Sequence, residues 1–125
     1  MADIRRVLLV EDEALIAMRI EYFLKAAGVD YRIASNHKRA VDAYSDFHPD
    51  IVLLDYYLAG GDNGMSIAKH IRQHDNTPIV FMTAHSNIKD VVFGEGLSNV
   101  FFIEKPVHLS NIMALLQEFF KATSD

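Results

Sequence analysis

The run Ile51-Val52-Leu53-Leu54 leads straight into one carboxylate, Asp55. It is too short for a helix and shows no alternation of apolar and polar residues. It therefore reads as a strand buried on both faces, which is the environment of a parallel sheet. The chain leaves that strand at Asp55, placing the carboxylate at its C-terminal end. Open α/β sheets build their sites along that edge.

The remaining chain repeats the pattern. Arg6 to Val10 reads as a first strand, ended by Glu11-Asp12-Glu13. Ala14 to Ala27 has Ile16, Ile20, Phe23, Leu24 and Ala27 at helical spacing, with Gly28 as a stop. Tyr31 to Ala34 reads as a second strand. Ser35 or Asn36 can cap a helix that runs through Phe47, with Ala40, Val41, Tyr44 and Phe47 inward. His48-Pro49-Asp50 breaks it before the third strand. A Gly- and Asn-rich loop from Ala59 to Gly64 precedes a helix with Ile67, Ala68 and Ile71 on one face. Pro78 opens a fourth strand, Ile79 to Met82, ending at Thr83. Between Asn87 and Ser98 the helical spacing of Ile88, Val91 and Val92 is weakened by Gly94 and Gly96, so a short or mobile helix is expected. Val100 to Ile103 reads as a fifth strand, ended by Glu104-Lys105-Pro106. A last helix starts at Leu109 or Ser110, with Ile112, Leu115, Leu116 and Phe119 inward. Ala122 to Asp125 reads as a frayed tail. Five alternating strands and helices predict a parallel sheet with helices on both faces, joined by right-handed connections. The whole chain, 1–125, is expected to form one domain.

All strands of such a sheet end on one side. Glu11 and Asp12, Asp55, Thr83 and Lys105 therefore converge there. Clustered carboxylates repel one another, and a hard divalent cation held by oxygens offsets that repulsion. Mg²⁺ is the usual choice where phosphate is handled. Lys105 is a second, fixed cation, expected to pair with Asp55 at rest and with a phosphoryl oxygen afterwards. Thr83 can donate to another phosphoryl oxygen. Asp55 is then a nucleophile toward phosphorus, forming an acyl phosphate.

Val-Glu-Asp-Glu at 10–13, Leu-Leu-Asp at 53–55, Met-Thr-Ala at 82–84 and Lys-Pro at 105–106 together resemble the receiver domain of two-component response regulators. The resemblance covers nearly the whole chain. It implies a flavodoxin-like, doubly wound fold with strand order 2-1-3-4-5. It implies Asp55 as phosphoacceptor, supplied by a phosphohistidine on a sensor histidine kinase or histidine phosphotransfer protein. It implies Mg²⁺ bound by Asp12, Asp55 and the backbone carbonyl of Tyr57, with Glu11 acting mainly through water. A switch would run through Thr83 to an aromatic residue on the fifth strand, here Phe102. Many members have Tyr there, so only packing, not a hydroxyl, is available. The Lys105-Pro106 bond would be cis. Tyr57 and His85, two residues past Asp55 and Thr83, would tune hydrolysis of the acyl phosphate. The output would be a protein target or a fused output domain, and the fourth helix, fifth strand and fifth helix are a candidate homodimer surface.

The chain also departs from that family's pattern. The usual Pro after Asp55 is replaced by Ala59, the following loop is about one residue longer than the commonest form, and Ser98-Asn99 stands where Gly-Ala is usual. These changes bear on the fourth helix and the output surface. An enzyme of the haloacid-dehalogenase type would want Asp two residues after the nucleophile, where Tyr57 stands. A flavin or nucleotide binder would want Gly, Ser or Thr after the first strand, where Glu11-Asp12-Glu13 repels anions. The domain is thus read as a switch rather than an enzyme, with a receiver-like interaction module that is never phosphorylated as the alternative. A net charge of −5 argues against direct nucleic-acid binding, and the absence of cysteine excludes thiolate metal sites. No run is long enough for a signal peptide or membrane span, so a soluble cytoplasmic protein is expected. Among the six histidines only His70 and His74 have metal-like spacing, i and i+4, and no third ligand is evident, so a solvated helix face is the favoured reading. Met113, Leu116 and Phe120 form a second apolar stripe that serves either the core or a partner.

Overall fold

The computed structural model describes residues 5–58, 63–85 and 87–121, with 120 and 121 described by backbone alone. The loop expected at Ala59–Gly64 lies outside these residues except for its last two positions, as do the tail and the Phe120 side chain. In chain order the elements are β1 (Arg6–Val10), α1 (Ala14–Ala27), β2 (Asp30–Ala34), α2 (His37–Phe47), β3 (Ile51–Asp55), α3 (Gly64–Arg72), β4 (Ile79–Thr83), α4 (Ile88–Gly94), β5 (Val100–Glu104) and α5 (Leu109–Lys121). The five strands form one parallel sheet in the order β2-β1-β3-β4-β5.

Alternate residues of each central strand serve opposite cores. Leu8, Val10, Val52, Leu54, Ile79 and Phe81 pack with α2, α3 and α4. Val7, Leu9, Ile51, Leu53, Val80 and Met82 pack with α1 and α5. Both faces are covered, so β3 and β4 are buried at every residue. That double burial is why these strands are apolar runs and not alternating ones. β2 lies at an edge, and Ile33 there is exposed. It starts one residue earlier than its apolar content indicates, because the Asp30 N–H bonds the Arg5 carbonyl at 2.8 Å.

The helix ends follow local chemistry. Asn36, not Ser35, caps α2, its side chain accepting from the Arg39 N–H at 2.8 Å. Asn63 caps α3 by accepting from the Met65 N–H at 2.9 Å. Gly28 ends α1 at φ 74°, a left-handed conformation that glycine adopts without a Cβ penalty. α4 is a seven-residue helix, as the two glycines foretold; it stops at Gly94, and Gly96 turns the chain at φ 73°. No helix among the described residues is long and apolar enough to cross a membrane.

Leu53 sits at the centre of the sheet with no solvent exposure. Leu53→Ala is expected to cost about 2–5 kcal/mol in urea unfolding, from lost burial plus the cavity left behind. A change below about 1 kcal/mol would mean that the α1/α5 side of the sheet collapses around the gap.

Candidate functional site

The strand ends meet as the sheet register requires. Glu11 and Asp12 follow β1, Asp55 ends β3 and Thr83 ends β4. Lys105 lies one residue past β5, yet its backbone N–H continues the ladder by bonding the Thr83 carbonyl at 2.9 Å. That bond aims the lysine side chain across the sheet edge. The Lys105-Pro106 peptide bond is cis.

The ammonium of Lys105 stands 3.1 Å from Glu11 Oε1 and 3.3 Å from Asp55 Oδ2. It therefore bridges two carboxylates, where sequence reasoning paired it with Asp55 alone. Burial works against its charge, but Asp55 and Glu11 outweigh that and hold its pKa above the ordinary lysine value. Glu11 is almost fully enclosed. Burial, and then the nearby Asp55 carboxylate, push the Glu11 carboxyl up to about 7, against the pull of Lys105. One Glu11 oxygen, Oε2, accepts from the Glu13 N–H at 3.2 Å; the other, Oε1, faces the Lys105 ammonium.

Carboxylate oxygens of Glu11, Asp12 and Asp55 lie within 4.8 Å of one another. Three carboxylate oxygens this close, two of them on buried residues, fit a hard divalent cation such as Mg²⁺. The donor set offers no nitrogen or sulfur, which disfavours softer metals.

The other expected residues surround this centre. The Tyr57 N–H donates to Asp55 Oδ1 at 3.3 Å, and its half-exposed ring meets the His85 ring edge-on at 5.6 Å. The Thr83 hydroxyl, itself buried, accepts from the His85 N–H at 3.1 Å and lies 3.5 Å from the His85 carbonyl oxygen. Phe102 stacks on Phe81 at 6.0 Å between centroids and meets Phe93 of α4 edge-on at 5.5 Å.

Two positioning residues escaped sequence reasoning. Arg19 of α1 donates to the Val107 carbonyl at 3.3 Å, tying the turn after Lys105 to α1; a lone arginine on a helix carries no signal of this. Gly64 opens α3 against the backbone of Asp55, and a Cβ there would sit 2.6 Å from the Asp55 carbonyl oxygen and 3.1 Å from both Leu54 and Phe81. The Gly64 N–H also bonds the Tyr56 carbonyl at 2.5 Å. Its signal was present only as one glycine among several in the loop.

The chain is similar to known proteins over most of its length. The model of the response regulator receiver domain matches residues 7–117. A two-component response regulator from Clostridium difficile superposes with a TM-score of 0.86 at 19% identity, covering 97% of this chain and 99% of that one. The chemotaxis protein CheY4 of Vibrio cholerae gives 0.83 at 21% identity, covering 94% and 99%. The receiver domain of NtrX from Brucella abortus gives 0.81 at 28% identity, covering 92% and 98%.

Gly64→Ala is expected to lose about 1–3 kcal/mol of stability, because the added methyl group meets backbone that cannot yield freely. Urea unfolding measures this; an unchanged midpoint would show that α3 can retreat from Asp55 at no cost.

Proposed function

Because this chain belongs to the response regulator receiver domain family, we propose that it is a Mg²⁺-dependent phosphoacceptor switch with Asp55 as the acceptor. The observation that carries this is the Asp55 carboxylate, held 3.3 Å from the Lys105 ammonium and within 4.8 Å of the Glu11 and Asp12 oxygens. A carboxylate so placed is oriented, and a phosphoryl group arriving there meets positive charge.

In this reading Asp12, Asp55 and the Tyr57 carbonyl would hold Mg²⁺, with Glu11 acting mainly through water. The bound ion would neutralise phosphoryl oxygens and orient the transferring group. An Asp55 oxygen forms the new P–O bond while the P–N bond to a donor phosphohistidine breaks. The donor imidazole leaves with that electron pair. The donor is a sensor histidine kinase or a histidine phosphotransfer protein. Lys105 keeps one contact with Glu11 and turns the other toward a phosphoryl oxygen.

The Thr83 hydroxyl, now turned to the His85 backbone, rotates to donate to the phosphoryl group. That rearranges the loop leading to α4. Phe102, packed between Phe81 and Phe93, then moves inward, and the surface of α4, β5 and α5 changes for a protein target or fused output domain. The exposed Val91, Phe93, Phe101 and Met113 support that surface as the reader's contact or as a homodimer face. The crossed rings of Tyr57 and His85 screen the acyl phosphate from water.

Incubation with acetyl phosphate and Mg²⁺ should add one phosphoryl group to the intact mass of the parent and none to Asp55→Asn; an adduct on the variant would move the acceptor elsewhere. Tyr57→Ala should release phosphate several-fold faster than the parent. An equal or slower release would remove Tyr57 from any role in shielding.

A further inference from the structure

α3 begins beside Asp55 and runs back along the sheet, so its C-terminal end lies at the far edge from the carboxylate cluster. There His70, in the last turn, and His74, just beyond, stand one helical turn apart and share a face. Their ring centroids are 4.6 Å apart, and Tyr44 of α2 meets both rings edge-on at 6.2 Å. The rings are thereby held as a pair.

His74 Nδ1 lies 2.9 Å from the His70 carbonyl oxygen. A carbonyl only accepts, so Nδ1 carries a proton, and in the neutral ring the lone pair is on Nε2. Metal-ligating histidines are held in this way, one ring nitrogen donating to a backbone carbonyl while the other binds the ion.

The local charge is also suited to a cation. The C-terminal end of a helix carries partial negative charge. Asp75, whose carboxylate accepts from the Thr77 N–H and hydroxyl, lines the same groove as His48 and His74. Of the neighbouring cations, Lys69 pairs with Glu95 at 2.7 Å, and the Arg72 guanidinium donates to the carbonyls of Ser98, Asn99 and Asp75, its charge offsetting that of Asp75.

We propose that His70 and His74 form a two-imidazole binding site for a divalent transition-metal ion of the Ni²⁺, Cu²⁺ or Zn²⁺ class, separate from the carboxylate cluster at Asp55. Imidazole nitrogen favours these ions over Mg²⁺. Among the described residues the one set of three close metal-capable groups is Glu11, Asp12 and Asp55. The imidazole site is therefore open, with water completing the coordination.

The competing account is that the two rings only pack on Tyr44. Ni²⁺ equilibrium dialysis separates the two, using the full chain without a histidine tag and with saturating Mg²⁺ to occupy the carboxylate cluster. The parent should take up one Ni²⁺, and His70→Gln and His74→Gln should each weaken uptake by about tenfold or more, because the second imidazole no longer binds intramolecularly. Phosphorylation by acetyl phosphate should be unchanged in both variants, showing that they fold. Cu²⁺ bound to the parent should show hyperfine coupling to two nitrogens by electron paramagnetic resonance, a readout that needs no variant. Ni²⁺ uptake that is absent, or equal in the parent and the double variant, would overturn the proposal, as would a Cu²⁺ spectrum without two coupled nitrogens.

Discussion

Everything at the C-terminal edge of the sheet depends on one ammonium held between two carboxylates. Lys105 lies 3.1 Å from Glu11 and 3.3 Å from Asp55, while Glu11, Asp12 and Asp55 crowd within 4.8 Å. One ammonium cannot neutralise both Glu11 and Asp55, and Glu11 is largely cut off from water. Its carboxyl accordingly rises to about 7 through burial and the proximity of Asp55. The cluster is an arrangement that folding alone would not favour. It makes sense if a further cation and a phosphoryl group visit it, since functional sites commonly hold charge that the resting fold would be more stable without.

The fold is what enforces this crowding. Parallel pairing brings every strand to its C-terminal end on one side. Val10, Leu54 and Met82, each fully buried beside the acids or the threonine, leave the strand ends no freedom to splay. The backbone bond from Lys105 to Thr83 carries the ladder one step past β5, and the contact of Gly64 with the Asp55 carbonyl seats α3 tightly beneath the site. Thr83 and Phe102 belong to adjacent strands, so the proposed change at the phosphoryl group reaches the α4 face through a short chain of packed groups. Phe93 covers Phe102 from α4, so the proposed change would carry that helix with it.

Much of the architecture was legible in the chain because double burial writes itself as uninterrupted apolar runs. Ile51–Leu54 and Ile79–Met82 could be little else, and each ended at a polar residue whose side was then fixed by topology. β2 was less plain because it is an edge strand, and its first residue is placed by a backbone bond to Arg5 that no side chain announces. The convergence of Glu11, Asp12, Asp55, Thr83 and Lys105 followed from strand ends alone. Side-chain detail did not: that Lys105 touches Glu11 as well as Asp55 depends on rotamers, and that Gly64 must lack a Cβ depends on a close approach across a loop. The pair His70 and His74 was visible as a spacing, but its tautomer is set by a carbonyl contact that only coordinates reveal.

The central claim is that the crowded carboxylates are kept for a cation and a phosphoryl group, at some expense to the metal-free fold. Urea unfolding of the parent and Asp55→Asn, each in EDTA and in Mg²⁺, tests it most directly. Removing one negative charge should make the variant more stable than the parent in EDTA, while only the parent should gain stability from Mg²⁺. A variant less stable than the parent in EDTA, together with a parent indifferent to Mg²⁺, would show that Asp55 is there to hold Lys105 and the fold, and would contradict the account.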